Sequence, residues 1–356
     1  MALVPLVRGT DTAVGHPGRM PSRSLAALET SAASVLARLR GEGPRPVVDP
    51  GLAGGLRDWF EVGLAEALSE LPPVEEPVRV TKERLNQVMV CELHLAATAA
   101  APRVITCELA RGSLVDALFR QWVTVGQLDD PLIDALTALE AAGDQDEVVA
   151  YVMGLPTDER RQLVAEVAEH AASITAAWQV PSDAWYPRTQ ERIEVPLAGG
   201  RVVLAGVADL LLGGPAGQRA SVCVVEVKSG GRRVEHRSDQ LFYALLETLR
   251  SGAPPFQVAT YYTRTGDLDL EAVDAGVLTD VLARVLEGAV RLTRLAVGVA
   301  PSPTPNPLCA WCVGLPRCEP GQGRAGSSIP RRGGRWDGDD VDCAAGDDRA
   351  PHVVVR

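Results

Sequence analysis

The chain has 356 residues, 46% of them hydrophobic and only 4% aromatic, and a net charge of −11. That is room for two or three domains, or one elaborated domain with a sizeable core. No uncharged apolar run reaches the length of a membrane span, and the acidic balance argues against a general nucleic-acid binder with a basic surface. The N-terminus has no long apolar block after a basic start, so the chain reads as cytoplasmic. Seven unevenly spaced cysteines do not resemble a secreted disulfide framework, and metal or cluster ligands are the expected use of some of them.

Residues 1–22 are rich in Gly, Pro and polar side chains and are expected to be disordered. Two helices, Ser24–Leu39 and Leu52–Leu71, make a helical extension over 23–78, split by "GEGPRPVVDPG" and closed by Pro72-Pro73. The main domain is expected over 79–320. It opens with "VTKERLNQVMVCELHLAATAA", read as one helix with Thr81 as N-cap. Another helix starts near Gly112-Ser113, and residues 129–180 form a helical insertion whose last helix runs from about Thr157 to Gln179.

The period then shortens. "ERIEVPL", "RVVLAGVADLLL" and "ASVCVVEVK" read as three strands of an antiparallel meander. "EHRSDQLFYALLETLRSG" is a helix ending at Gly252, "FQVATYYT" a strand, and Glu271–Val297 a long amphipathic helix. A tail over 321–356 is expected to be disordered. It holds six Asp between Asp337 and Asp348, and also Arg331, Arg332 and Arg335. The fold class is α/β, with a small central mixed sheet flanked by helices.

Glu226 and Lys228 close an otherwise apolar run. Two residues apart on a strand, they face the same side. Asp209 lies on the preceding strand. Two carboxylates beside a lysine suit a hard divalent cation such as Mg²⁺ or Mn²⁺, which polarises a phosphoryl oxygen and acidifies a bound water. A simple hairpin about "GGPAGQ" sets Glu226 opposite Ala205, about 13 Å along the strand from Asp209; a bulge at Gly206 is the expected remedy. Downstream, Cys309, Cys312 and Cys318 form a C-x2-C-x5-C group. Such a group suits an iron–sulfur cluster or Zn²⁺, and either needs a fourth ligand.

"GVAD" at 206–209, "EVK" at 226–228 and "QLFY" at 240–243 resemble the successive motifs of the PD-(D/E)XK nucleases, in particular the RecB-like exonuclease branch, over roughly residues 80 to 320. The resemblance implies a restriction-endonuclease-like core. It makes Asp209 and Glu226 metal ligands, helped by the Val227 carbonyl, and Lys228 the catalytic lysine. Gln240 and Tyr243 would line the active site, although Asp239 has the branch's usual spacing to Tyr243. Asp116, in "GSLVDALF", stands where the branch carries a metal-binding His. The branch's iron–sulfur members place one Cys before the core and three after it, which makes Cys91 the fourth ligand, with Cys107 in reserve and Cys343 a bystander. A [4Fe-4S] cluster is the implied group and Zn²⁺ the alternative.

The basic run after the strand, with Arg232, Arg233 and Arg237, is a candidate track for a phosphate backbone, and Tyr261 or Tyr262 a candidate for stacking a base. The expected function is metal-dependent hydrolysis of DNA, as single strands or ends. The alternative is a catalytically weak or inactive nuclease-fold subunit that binds DNA or a partner in repair, defence or CRISPR adaptation. With no G-x-x-x-x-G-K-[ST] loop in the chain, a helicase would be a separate partner.

Overall fold

In the computed structural model, which describes residues 35–327 except 102, 144, 145, 215 and 218, together with Val354–Val355, the run from Val202 to Leu212 forms the spine of the sheet. This strand, β4, pairs along one edge with β3 (Arg188–Leu197), antiparallel from Leu197↔Val202 to Arg188↔Leu211. Its other edge is shared. β1 (Val78–Val80) runs parallel to Val202–Leu204, and β5 (Cys223–Lys228) antiparallel to Leu210–Leu212. Between those contacts, Ala205–Asp209 has no strand partner on that edge, and backbone groups there must find other partners.

β6 (Gln257–Tyr262) is parallel to β5, connected through α9 (Glu235–Ser251), and β7 (Asp267–Ala272) is antiparallel to β6. The order β1-β4-β5-β6-β7 with β3 beside β4 makes a mixed sheet between two helical layers. One layer holds α2 (Leu52–Ala67), α3 (Lys82–Val90), α9 and α10 (Ala275–Ala296). The other holds α1 (35–40), α5 (Cys107–Val125), α6 (Pro131–Ala142), α7 (Asp146–Gly154) and α8 (Thr157–Ala177). In α10, Leu278, Val281, Leu282, Val285, Ala289 and Leu292 are buried at helical spacing, as a one-faced amphipathic helix requires. In the second layer, Phe119, Trp178 and Tyr261 pack with ring centroids 4.9 to 6.0 Å apart. Tyr261 is thus a core residue and not a base-stacking platform.

Two expectations are corrected. The helix expected from Glu271 starts at Ala275, capped by Asp274, whose carboxylate accepts from Val277 N at 2.8 Å. The preceding "DLDLEA" alternates acid and leucine at the strand period, and forms β7. The expected single helix from Thr81 breaks at Cys91, which is extended (φ −170°, ψ 120°) and separates α3 from α4 (Glu92–Ala99). In α2, Leu56, Phe60 and Leu64 are buried in the core that α9 and α10 share.

Of the helix expected over Ser24–Leu39, residues 35–40 are helical and the rest lies outside the described residues, as do residues 1–22. At the other end, α11 (Glu319–Ser327) continues past Gly321, and Val354–Val355 pairs with β2 (Arg103–Val104). The remaining tail, with Cys343, is outside the described residues. Among the described residues no helix is long and apolar enough to cross a membrane.

Candidate functional site

The pairs Leu210↔Val225, Leu211↔Val224 and Leu212↔Cys223 bring Asp209 abreast of Glu226 without a bulge at Gly206, which corrects the simple-hairpin register. The cause lies in the 213–222 loop. Its far part pairs elsewhere: Ala220 N donates to Pro46 O at 3.0 Å, and Val47 bridges Arg219. Gly213 (φ +93°) permits the tight return, where a Cβ would lie 2.2 Å from Ser221 O. Asp209 Oδ2 accepts from Val227 N at 2.7 Å, which locks the two strands together at the carboxylates.

Gly206 has a different use. A Cβ there would lie 2.7 Å from the Tyr243 ring. The tyrosine slides under β4 and its hydroxyl donates to Val207 O at 2.7 Å, on the stretch that lacks a strand partner. Tyr243 therefore supports the site floor.

Glu226 is buried and faces two ammonium groups. Its Oε1 accepts from Lys228 Nζ at 2.7 Å and also from Lys82 Nζ. Its Oε2 is buried with no hydrogen-bond partner. Lys82, the first residue of α3, was not anticipated. Its place just after the Thr81 cap was the one available signal. Its Nζ lies 5.0 Å from the centre of the Tyr243 ring. Burial opposes charge on both partners, but Lys82 and Lys228 still hold Glu226 below the ordinary carboxylate range, and Glu226 raises Lys82 well above that of a lysine.

The other carboxyls respond the opposite way. Burial, then the charges of Glu226 and Asp116, push Asp209 well up. Burial raises Asp116 to about 6, with Glu226 adding to the shift against the opposing charge of Arg120. Crowded carboxyls of this kind share a shortage of positive charge.

Asp116 enters the site from α5. Gln190 Nε2 holds both its oxygens, at 3.2 and 3.1 Å. Gln190 has a left-handed backbone (φ +52°) and falls in a gap of the β3–β4 register, between Thr189↔Leu210 and Glu191↔Ala208. A left-handed backbone at a non-glycine residue inside a strand is costly enough to mark a constraint. No sequence motif pointed to it.

Asp239, not Gln240, faces the cleft. It lies 3.8 Å from Lys228 Nζ and accepts from Asn86 Nδ2 at 2.7 Å. Gln240 is turned into β6, donating to Ala259 O and to Thr260 Oγ1 at 2.9 Å. The expected role of Gln240 in the site is thus corrected, because one residue along α9 rotates its side chain by about 100°. The cleft measures about 940 Å³, and its walls include Lys82, Asp116, Asp209, Glu226, Lys228 and Asp239.

Of the three arginines, only Arg233 lines this cleft. Arg232 is bound by Asp269 at 3.0 and 2.7 Å, and Arg237 by Glu271 at 2.7 and 2.6 Å. Both acids come from β7, the strand the sequence reading missed.

The end of β5 is tied down by Thr263, whose N and Oγ1 donate to Lys228 O at 2.9 and 3.2 Å. Thr263 Oγ1 also meets buried His170 Nδ1 at 2.8 Å. Burial, then the charges of Arg111 and Arg264, lower His170 to about 4 from 6.5. The unfolded chain therefore binds the extra proton first. Stability is full above about pH 6.5 and falls as the pH drops toward 4, by roughly 3 kcal/mol in all. His170→Gln should flatten this part of the acid limb. Urea midpoints at pH 7 and pH 4.5 measure it, and an unchanged difference between the two midpoints would exclude the assignment.

The cysteines converge on a second place. Cys91, Cys309, Cys312 and Cys318 line one cavity of about 20 Å³ together with His94, and Cys107 does not. Backbone N–H groups of Thr304, Asn306 and Gly321 point at the sulfurs of Cys91, Cys309 and Cys318 at 3.4, 3.3 and 3.3 Å. His94 Nδ1 lies 3.3 Å from Cys312 Sγ, a neighbour the spacing did not suggest. None of these four sulfurs is in a disulfide.

Among the described residues, no three His, Cys, Asp or Glu side chains are grouped as ready-made ion ligands. At the acidic site two ammonium groups crowd Glu226. At the sulfur site the cavity is about the size of a single water. Both donor sets nevertheless fit a cation chemically. The acidic set offers hard oxygens and the orphaned Glu226 Oε2. The sulfur set offers four thiols, three of them already receiving N–H bonds that would stabilise thiolates.

The model of the PD-(D/E)XK nuclease superfamily matches residues 79–319. No curated protein matches the chain in sequence. Among solved structures, a Eubacterium rectale protein described as a "putative exonuclease" aligns with 76% of this chain and 94% of its own, at 12% identity and TM-score 0.39. The protein SSO0001 aligns with 75% and 96%, at 12% identity and TM-score 0.27.

Proposed function

This chain belongs to the PD-(D/E)XK nuclease superfamily, and from that premise we propose that it is a divalent-metal-dependent deoxyribonuclease acting on single strands or ends. The observation that carries the reading is Glu226. One of its oxygens is buried without a partner while Asp209 stands abreast of it. Asp209, Glu226 and Asp116 would hold Mg²⁺ or Mn²⁺. The ion would supply Lewis acidity at the phosphorus and an acidified water.

The protein's own groups do the rest. Lys228 orients the attacking water and steadies negative charge on the phosphate. Asp239 keeps the lysine in place, and Asn86 keeps Asp239. Gln190 aims Asp116. Arg233 offers the strand's backbone a positive edge of the cleft. Cys91, Cys309, Cys312 and Cys318 would hold a structural metal group joining α3–α4 to the C-terminal segment, with [4Fe-4S] as our reading and Zn²⁺ as the alternative.

Anaerobically purified protein should degrade end-labelled DNA with Mg²⁺ or Mn²⁺, and Lys228→Ala should lose at least ~10²-fold of that rate. Cleavage that survives Lys228→Ala would place the chemistry elsewhere. Folded, metal-loaded wild type that cleaves neither single nor double strands would favour the non-catalytic, DNA-binding alternative.

A further inference from the structure

We propose that Lys82 is an internal competitor of the divalent cation: its ammonium occupies Glu226 in the unloaded site and passes to a phosphate oxygen of the strand when the cation binds. The inference rests on the metal-dependent reading above and goes beyond it, because it concerns a residue outside the three motifs.

Glu226 Oε1 serves two ammonium groups at once. They are not equivalent. Lys228 belongs to β5, shares a face with Glu226, and has Asp239 as a further neighbour at 3.8 Å. It is held where the chemistry needs it. Lys82 reaches in from another element, at the very start of α3. Beyond Glu226 its ammonium lies over the Tyr243 ring face at 5.0 Å and 4.0 Å from Glu83, and it shares the field of Asp209, Asp116 and Asp239.

A divalent cation bound by Asp209 and Glu226 would place two more positive charges beside both lysines, in a site where screening by water is weak. One ammonium must give way, and Lys82 is the one free of the strand. It lines the cleft, so its outlet is the space the strand's phosphates would fill. A compact ammonium on a flexible stem suits such an exchange of anions. The unloaded site therefore carries its own counter-ion, and the cation has to displace it.

Calorimetric titration of Mn²⁺ alone into wild type, Lys82→Met and Lys82→Arg tests this without reading turnover. Lys82→Met should bind Mn²⁺ at least ~10-fold more tightly, since it keeps the stem and removes the competing charge, while Lys82→Arg should stay within about threefold of wild type. The KM for a single-stranded oligonucleotide should rise in Lys82→Met as the cation tightens. A merely structural lysine would weaken both and lower the melting temperature. Unchanged or weaker Mn²⁺ binding in Lys82→Met overturns the inference alone. No Mn²⁺ binding by any of the three overturns the metal-dependent reading with it.

Discussion

Asp209→Asn is expected to lower DNA cleavage by about 10³-fold or more while leaving the protein at least as stable as wild type. Asn is nearly isosteric, and its amide oxygen can still accept from Val227 N, so the 2.7 Å link between β4 and β5 survives. What disappears is a carboxylate that burial and the neighbouring Glu226 and Asp116 already disfavour. Without a cation that charge is a liability to the fold. Removing it should raise the melting temperature by about 2–4 °C if ~1 kcal/mol of repulsion is relieved. Loss of activity with gain of stability is the signature of a group kept for chemistry. A steady-state cleavage rate and a thermal melt measure both halves, and a variant that is both unstable and inactive would indicate a structural role instead.

Cys309→Ser should have the largest effect on stability. The four sulfurs come from α3–α4 and from the segment after α10, far apart in sequence. A metal group there would close a long loop, and its binding free energy would become folding free energy, several kcal/mol at least. The expected result is loss of the bound metal, a melting temperature lower by ~10 °C or more, and easier proteolysis of the C-terminal segment. Chelation of the wild type should mimic the variant. Brown protein with a visible absorption band identifies iron–sulfur, whereas a colourless zinc protein selects the alternative. Wild type purified anaerobically without either metal would remove the site.

Much of this was legible in the sequence because it follows from local rules. The apolar run 222–227, the turn glycines and the Cys spacing each announce themselves within a dozen residues. What was missed depends on contacts between distant segments. The register that sets Asp209 against Glu226 is fixed by residues 46–47, which take up the far part of the 213–222 loop. Lys82 and Gln190 belong to no motif. One is placed by the β1–α3 junction and the other by a left-handed turn of the β3 backbone at Gln190. The pairing of Arg232 and Arg237 followed from β7, whose Asp269 was left between elements and whose Glu271 was assigned to the next helix. Asp239 had the correct spacing to Tyr243, and only the facing of α9 shows that it, rather than Gln240, is the residue turned to the cleft.

The central claim is that the Asp209–Glu226 pair seats a divalent cation. Its most direct test is Mn²⁺ binding followed by paramagnetic resonance in wild type and Asp209→Asn. Bound Mn²⁺ in the wild type, weakened at least ~10-fold in the variant, is the predicted result. Equal Mn²⁺ binding by both proteins, or by neither, would contradict it.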